Sequence, residues 1–148
     1  MPDHRPLRIL QVEDTQGDAQ MTALAMKAGK IPHILQVVTD GVQAIDYLTK
    51  KDPFADAARP DLILLDLDLP RLKGDQVLEF IKGEESLREI PVIIFSSLDS
   101  AESKHHAYQL HANSYVVKPQ DLEAFTSKVQ SIADYWCNTS EAPIARTS

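Results

Sequence analysis

The chain has 148 residues, 43% of them hydrophobic, and a formal net charge of −7 at pH 7. This length suits one domain of roughly 100–200 residues, and the negative charge argues against a nucleic-acid-binding protein or one that docks on anionic membrane. A single cysteine excludes an internal disulfide, and the chain shows no apolar signal segment and no apolar run of roughly 18 residues. We therefore expect a soluble cytoplasmic protein that contacts neither nucleic acid nor membrane.

Short apolar runs alternate with longer amphipathic segments along the chain. Strands are predicted at Leu7–Val12, Ile34–Val38, Leu62–Leu65, Val92–Phe95 and Tyr115–Val117. The third and fourth runs are apolar on both faces, which is typical of strands inside a parallel sheet whose two faces are covered.

Each run is followed by a pattern of the amphipathic helix, in which apolar residues recur at the spacing of one helix face. The first pattern has its apolar side chains at Met21, Leu24, Ala25 and Ala28, and Gly29 is expected to end that helix.

The four later helices are predicted from caps and apolar spacing. The second helix is Val42–Leu48 with Asp40 as its cap, and the third is Gly74–Ile81 with Val77, Leu78 and Ile81 on one face. The fourth runs to about His111 and begins with Asp99 and Glu102 at the spacing of a capping box. The last helix has one apolar stripe, formed by Leu122, Phe125, Val129, Ile132, Ala133 and Trp136. Such alternation of strands and helices predicts an α/β fold with a five-stranded parallel sheet and helices on both of its faces.

The domain organisation predicted from these elements is simple. Residues 1–137 are expected to form one domain, residues 138–148 a short polar tail, and no output domain is expected. A polar loop at Lys50–Pro60 separates the second helix from the third strand.

Polar side chains follow all five predicted strands, but those after the second, Thr39 and Asp40, are better explained as the cap of a helix. Glu13 and Asp14 follow the first strand, and Asp66 follows the third, with Asp68 two residues later. The fourth and fifth strands lead to Ser96 and Lys118. Because ligands of open α/β sheets bind outside the carboxyl ends of the strands, we expect these side chains to form one site.

Several carboxylates at one edge of a sheet repel each other unless a cation lies among them, since two charges about 4 Å apart cost about 4 kcal/mol at an effective dielectric constant of 20. Oxygen ligands that are partly open to water favour Mg²⁺. Together with the charge of Lys118 and the hydroxyl of Ser96, this set suits an aspartate that attacks phosphorus and becomes an aspartyl phosphate. A simpler alternative is that Glu13-Asp14 is a loop acid pair that caps the next helix through Asp14 or Asp18.

The motifs resemble those of the receiver domains of two-component response regulators, from about Leu7 to Cys137. The matching segments, in chain order and at family-like spacings, are Val12-Glu13-Asp14, Leu64-Leu65-Asp66, Ile94-Phe95-Ser96 and Lys118-Pro119, with Tyr115 at the aromatic switch position. The resemblance implies a flavodoxin-like doubly wound (βα)5 fold with strand order 2-1-3-4-5.

The resemblance also implies roles for these residues. Asp66 would accept a phosphoryl group from a partner histidine kinase, Lys118 would pair with that group, and Pro119 would follow a cis peptide bond. Ser96 and Tyr115 would be the switch pair. The Mg²⁺ ligands would be Asp14, Asp66 and the backbone carbonyl of Asp68, with Glu13 acting mainly through water. Such a protein is a phosphoacceptor rather than an enzyme on other substrates, promoting only its own phosphorylation and dephosphorylation.

Within that family, the chain is similar to the single-domain regulators of bacterial and cyanobacterial phytochromes. The similar features are the insert Lys50–Pro60, the segment His111–Tyr115 and the aromatic pair Tyr135-Trp136. This similarity implies a phytochrome-type kinase as donor, a histidine phosphotransfer protein or an effector as recipient, and a homodimer. Two residues depart from the common pattern: Asp68 replaces an Asn of close relatives, and Ser97 replaces a small apolar residue.

An alternative function is hydrolysis of phosphate esters. Leu65-Asp66-Leu67-Asp68 resembles the Asp-x-Asp strand end of haloacid-dehalogenase-type phosphohydrolases, with Asp66 as nucleophile and Asp68 as general acid/base. In that family, however, the motif lies on the first strand rather than the third, and Thr or Val stands where this chain has Pro70. The context therefore favours the phosphoacceptor.

Overall fold

A computed structural model describes residues 5–139 and consists of one parallel sheet with helices on both faces. The strands are β1 (Leu7–Val12), β2 (His33–Val38), β3 (Leu62–Leu65), β4 (Val92–Ser96) and β5 (Ser114–Val117). The helices are α1 (Gln16–Ala28), α2 (Gly41–Leu48), α3 (Gly74–Gly83), α4 (Ala101–Gln109) and α5 (Leu122–Asp134), and a π-helical turn, Tyr135–Thr139, continues α5. Every predicted strand is confirmed to within one residue at each end.

The strand order is β2-β1-β3-β4-β5, as the family resemblance implied. All neighbouring strands are parallel, with Val12 of β1 opposite Leu65 of β3 and Ser96 of β4 opposite Val117 of β5. The residues that follow β1, β3, β4 and β5 therefore meet along one side of the sheet, which we call the carboxyl edge.

The core has two halves because successive side chains of a strand point to opposite faces of the sheet. Leu62 and Leu64 pack in one hydrophobic cluster with residues of α1 and α5, including Met26 and Phe125. Ile63 and Leu65 pack in the other cluster, with residues of α2, α3 and α4. This division explains why the predicted buried strands are apolar at every position.

Gly74 brings the start of α3 against the end of β3. A Cβ atom there would overlap the carbonyl oxygen of Asp66 and lie 2.6 Å from the Cα of Leu67. The Gly74 N–H donates to the carbonyl of Leu67 at 3.0 Å. A residue without a side chain is therefore required where α3 holds the backbone of Asp66 in place.

The predicted inner face of α1 is wrong at two positions. Leu24 is 66% exposed and Ala28 is also exposed, whereas Thr22, Ala25 and Met26 are buried. The helix is turned so that the small polar side chain of Thr22 faces β1, where its hydroxyl accepts a hydrogen bond from the buried Gln11 at 3.1 Å. Hydrophobic periodicity treats a buried threonine as polar and therefore misplaces the face.

Gly29 ends α1, but not by taking the left-handed conformation. Its φ is −77°, and the following Lys30 has a φ of 57°. A Cβ at position 29 would lie 3.3 Å from Cγ of Gln130, whose amide donates to the carbonyl of Ala25 at 2.9 Å. Glycine at this position leaves room for the contact between α1 and α5.

Two further predictions about helix ends need correction. The cap of α4 is Ser100, whose side chain accepts from Ser103 N–H at 3.0 Å, because Asp99 is already paired with Lys104 at 2.6 Å. Leu122 is 61% exposed, since it begins α5 at the surface of the molecule. The predicted cap of α2 is confirmed, with Asp40 accepting from Gln43 N–H at 2.8 Å.

The predicted domain boundary at residue 137 falls inside the π-helical turn, and residues 140–148 of the predicted tail lie outside the described residues. Between residues 5 and 139, none of the helices combines the length and the apolar character needed to cross a membrane.

Candidate functional site

The carboxyl edge brings together most of the side chains predicted for the site. Glu13 and Asp14 follow β1, Asp66 follows β3, Ser96 is the last residue of β4, and Lys118 follows β5. Glu13, Asp66, Ser96 and Lys118 are buried, whereas Asp14 is exposed. The site is thus a buried polar cluster with one carboxylate open to solvent.

Lys118 is the centre of this cluster. Its Nζ donates to Oε1 of Glu13 at 2.6 Å, to Oδ2 of Asp18 at 2.8 Å and to Oδ2 of Asp66 at 2.9 Å. An ammonium group has three N–H donors, so each donor has its own carboxylate. Charge-assisted hydrogen bonds of this length are the strong kind.

Burial and charge act in opposite directions on the two buried partners. Burial by itself lowers the pKa of Lys118, but the hydrogen bonds that it donates to Asp18 and Glu13 and the negative charge of Asp66 outweigh burial, so that the pKa is raised. Burial raises the pKa of Glu13 to about 7, although the hydrogen bond to Lys118 opposes that rise. Lys118 is therefore charged at neutral pH, and Glu13 is poised to exchange a proton there.

Three acids at the carboxyl edge can hold a metal ion. One carboxylate oxygen each from Glu13, Asp14 and Asp66 lie within 4.8 Å of one another. Carboxylate oxygens at this spacing fit a divalent cation such as Mg²⁺ or Mn²⁺. The Asp68 side chain lies outside this group and is exposed, and its backbone N–H donates to Oδ1 of Asp66 at 3.3 Å.

The two predicted switch residues bind the same loop residue. Ser96 Oγ accepts from the backbone N–H of Leu98 at 3.2 Å, and the Tyr115 hydroxyl donates to the Leu98 carbonyl at 2.8 Å. Ser96 is buried and the adjacent Ser97 is exposed. Of the two neighbouring serines, only Ser96 therefore lies inside the polar cluster, and the loop between β4 and α4 is fixed from both sides.

The predicted cis bond before Pro119 is wrong. Residues 5–139 contain one cis peptide bond, and it joins Asp52 to Pro53. Trans is the intrinsically favoured form of an X–Pro bond, and Lys118 reaches its three carboxylates with the trans bond after it.

The alternative interpretation of Glu13-Asp14, in which Asp14 or Asp18 caps the next helix, is also wrong. The N-cap of α1 is Thr15, without a side-chain cap bond, and Glu13 accepts from the Thr15 N–H at 3.2 Å. Asp18 lies in the first turn of α1 and binds Lys118, a contact that the sequence analysis missed. One signal was present: α1 starts at the carboxyl edge, so a first-turn acid lies near that edge.

Comparison with known proteins agrees with this geometry. Residues 9–130 match the family described as the response regulator receiver domain. Response regulator Rcp1 of Synechocystis sp. is 34% identical over 140 residues, which cover 95% of each chain.

Two solved structures superpose closely on the chain. The phosphorylated cyanobacterial phytochrome response regulator RcpA has a TM-score of 0.90 at 36% identity, covering 94% of this chain and 99% of that one. The Mn²⁺-bound form of Rcp1 has a TM-score of 0.89 at 34% identity, covering 94% of this chain and all of that one.

These findings do not support the phosphohydrolase alternative. The match to receiver domains spans nearly the whole described chain, and the Asp68 carboxylate, which would have to act as general acid/base, is exposed outside the acid cluster. On sequence, fold and site geometry together, the chain belongs to the response regulator receiver domain family.

Proposed function

We propose that this protein is a phosphorylation switch in which Asp66 accepts a phosphoryl group. The observation that carries the proposal is the buried Asp66 carboxylate, which is 2.9 Å from the ammonium of Lys118 and beside a cluster of acids able to hold a divalent cation. A carboxylate nucleophile and a phosphoryl group are both anionic, so this site supplies the positive charge that their approach needs.

The proposed reaction is transfer from a phosphohistidine. A carboxylate oxygen of Asp66 attacks phosphorus, the new P–O bond forms as the P–N bond breaks, and the imidazole nitrogen leaves with the electron pair. Lys118 donates to a phosphoryl oxygen in place of the Asp66 oxygen that it now contacts. The signal ends by hydrolysis. Water attacks the same phosphorus, the P–O bond to Asp66 breaks, and inorganic phosphate, a proton and the free Asp66 carboxylate are released. The protein thus promotes its own phosphorylation and dephosphorylation and no reaction of other substrates.

We assign the metal of this site as Mg²⁺, held by Asp14, Asp66 and the backbone carbonyl of Asp68, with Glu13 acting through water. When bound, Mg²⁺ offsets the repulsion between the carboxylate and the incoming phosphoryl group. The support for this assignment is that carboxylate oxygens of Asp14 and Asp66 lie within 4.8 Å of each other and of Glu13, and that Asp14 is open to solvent.

The proposed output is a rearrangement of the loop between β4 and α4. The phosphoryl group of the acyl phosphate carries about −1.5 to −2 charges, where the Asp66 carboxylate carried one, and its oxygens attract the Ser96 hydroxyl as a donor. Ser96 Oγ then no longer accepts from Leu98, Tyr115 leaves the Leu98 carbonyl and turns inward, and the surface formed by α4, β5 and α5 changes.

The test is incubation with Mg²⁺ and acetyl phosphate, followed by intact mass measurement. We expect a gain of one phosphoryl group that hydroxylamine removes. Asp66→Asn is expected to abolish the gain, and Asp68→Asn, which changes an exposed neighbouring acid, to keep it. A stable protein that gains no phosphoryl group, or that gains it equally as Asp66→Asn, would contradict the proposal.

The donor that we propose is a histidine kinase of the phytochrome type. RcpA and Rcp1 support this choice, since RcpA is named as a cyanobacterial phytochrome response regulator and the two structures superpose on nearly all of this chain. The recipient is a histidine phosphotransfer protein or an effector in the cytoplasm. The test is to compare the rates of phosphoryl transfer to this protein from a phytochrome-type kinase and from unrelated histidine kinases. We expect the phytochrome-type kinase to be faster, and equal rates would contradict the choice of donor.

We also propose a homodimer that uses the end of α5. Tyr135 is 49% exposed and packs edge-on against Trp136, with ring centroids 5.3 Å apart, and aromatic residues of this kind are enriched at interfaces. Sedimentation of the wild type and Tyr135→Ser with and without acetyl phosphate tests the proposal, which is wrong if the wild type stays monomeric in both conditions.

A further inference from the structure

Asp18 is the partner of Lys118 that belongs to neither the predicted metal cluster nor the phosphoacceptor. It lies in the first turn of α1, one hundred residues before Lys118 in the chain, with its Oδ2 2.8 Å from Nζ. Its side chain is 25% exposed, compared with 1% for Glu13 and 8% for Asp66. The structure therefore adds a fourth carboxylate to the site.

The three hydrogen bonds of Lys118 have different fates when the site is used. Glu13 and Asp66 belong to the group of acids that can hold a divalent cation, which would compete with the ammonium for their charge. Asp66 also gives up its contact with Nζ when its oxygen becomes part of an acyl phosphate. Asp18 is the one partner of the three that belongs neither to this acid group nor to the phosphoacceptor, so nothing in the proposed reaction requires it to release the ammonium.

The turn that carries Asp18 is anchored to the sheet. The Thr22 hydroxyl donates to the Asp18 carbonyl at 3.0 Å and accepts from the side chain of Gln11 in β1 at 3.1 Å. Thr22 and Gln11 are both buried. The Asp18 carboxylate is thus presented by a backbone that is tied to β1, as a positioning group needs to be.

We propose that Asp18 is a positioning residue that holds the Lys118 ammonium beside Asp66 during phosphoryl transfer. This inference rests on the proposed function. In the transfer from acetyl phosphate, a carboxylate oxygen of Asp66 attacks phosphorus, the P–O bond to the acetyl group breaks, and acetate leaves with the electron pair. The N–H of Lys118 that now donates to Asp66 then donates to a phosphoryl oxygen instead. The N–H that donates to Asp18 keeps its acceptor and holds the ammonium in place.

Three variants separate positioning from a general effect on α1. Asp18→Ala removes the acceptor, whereas Asp18→Asn keeps an oxygen of similar reach. Glu123→Ala is the matched control, because Glu123 is an exposed acid in the first turn of α5 and its loss has a comparable effect on a helix N-terminus.

The first measurement is the initial rate of Asp66 phosphorylation by acetyl phosphate at saturating Mg²⁺. We expect Asp18→Ala to be about tenfold slower than wild type, as for loss of a charge-assisted hydrogen bond in the transition state. Asp18→Asn should stay within about threefold of wild type, because the amide oxygen still accepts from Nζ. Glu123→Ala should match wild type.

The second measurement needs neither metal nor phosphodonor. The ¹H–¹⁵N NMR signal of a lysine ammonium is visible when its hydrogens are held in hydrogen bonds and exchange slowly with water. We expect such a signal for Lys118 in the metal-free wild type, Asp18→Asn and Glu123→Ala, and its loss or marked broadening in Asp18→Ala.

The outcomes distinguish this inference from the proposed function. If wild type is phosphorylated and Asp18→Ala reacts as fast as Glu123→Ala, or keeps the ammonium signal of wild type, Asp18 does not position Lys118 although the switch stands. If wild type is not phosphorylated, both fail. Should Asp18→Ala not fold, Asp18→Ser, whose hydroxyl is too short to reach Nζ, provides the same two comparisons.

Discussion

Two lysines at opposite ends of the sheet make the same number of hydrogen bonds to different kinds of acceptor. At the carboxyl edge, Lys118 donates to three carboxylates. Near the starts of β4 and β5, Lys82 donates to the carbonyls of Arg88 and Ile90, both at 2.9 Å, and to Oδ1 of Asn113 at 3.0 Å. The pKa of Lys118 is raised, whereas burial lowers the pKa of Lys82.

The difference shows that satisfying the donors of an ammonium group is not the same as balancing its charge. Neutral oxygens replace the hydrogen bonds that water would make to Lys82, but they carry no charge to offset its desolvation. At Lys118 the charges of the partners more than offset it. We therefore expect Lys82 to stabilise the fold and Lys118 to control the electrostatics of the site.

Replacing Lys118 should have the largest effect. Lys118→Met leaves Glu13 and Asp66 buried without their cation, so the free energy of unfolding in EDTA should fall by about 3 kcal/mol. Saturating Mg²⁺ should recover part of this loss, because the ion supplies positive charge to the same acids. The phosphorylation rate should fall about hundredfold. Urea unfolding with EDTA or Mg²⁺ and intact mass kinetics with acetyl phosphate measure these effects.

Lys128→Met is the control for this substitution, since Lys128 is an exposed lysine on α5. It should change neither quantity. A gain in stability from Mg²⁺ that is no larger in Lys118→Met than in wild type would mean that the ammonium and the metal ion do not balance the same charges.

Replacing Lys82 should have a smaller effect of a different kind. Lys82→Met leaves three oxygens without this donor, so the free energy of unfolding should fall by about 2 kcal/mol. That loss should be the same in EDTA and in Mg²⁺, and the phosphorylation rate should stay within about twofold of wild type, since distant sites act independently. The same unfolding and mass measurements apply.

A loss of stability in Lys82→Met that depends on Mg²⁺ would show that the two ends of the sheet are coupled. The comparison of the two lysines as separate structural and functional groups would then be wrong.

Much of the fold follows from short-range patterns in the sequence. The runs Leu62–Leu65 and Val92–Phe95 could be assigned to buried parallel strands because both faces of such strands are covered. The residues after the strand ends then identified Glu13, Asp66 and Lys118, since parallel strands bring those positions to one edge of the sheet.

Asp18 was missed for the same reason that Leu24 was misplaced. Asp18, Thr22 and Ala25 are spaced i, i+4 and i+7, and this inner face of α1 contains only one apolar residue among the three. The orientation of α1 depends on the hydrogen bond between Thr22 and Gln11, which joins two polar side chains from different elements. No local sequence pattern predicts such a contact, and the same holds for the hydrogen bond between Lys82 and Asn113.

The smallest predicted effect concerns the proton on Glu13. Burial raises the pKa of Glu13 to about 7, and a metal site with oxygen ligands needs its acids ionised. As the pH rises through 7, Glu13 loses its proton while Lys118, whose pKa is raised, stays charged. Mg²⁺ should therefore bind about tenfold more tightly at pH 8 than at pH 6.

Calorimetry in buffers of different ionisation enthalpy measures both the affinity and the protons released. Binding at pH 6 should release close to one proton per Mg²⁺, and binding at pH 8 almost none. Glu13→Gln keeps the shape of the side chain and should remove both the proton release and the dependence on pH. If wild type released no proton at pH 6, Glu13 would already be ionised at that pH. The attraction of Lys118 would then affect the pKa of Glu13 more than burial does, just as the attraction of the carboxylates affects the pKa of Lys118 more than burial does.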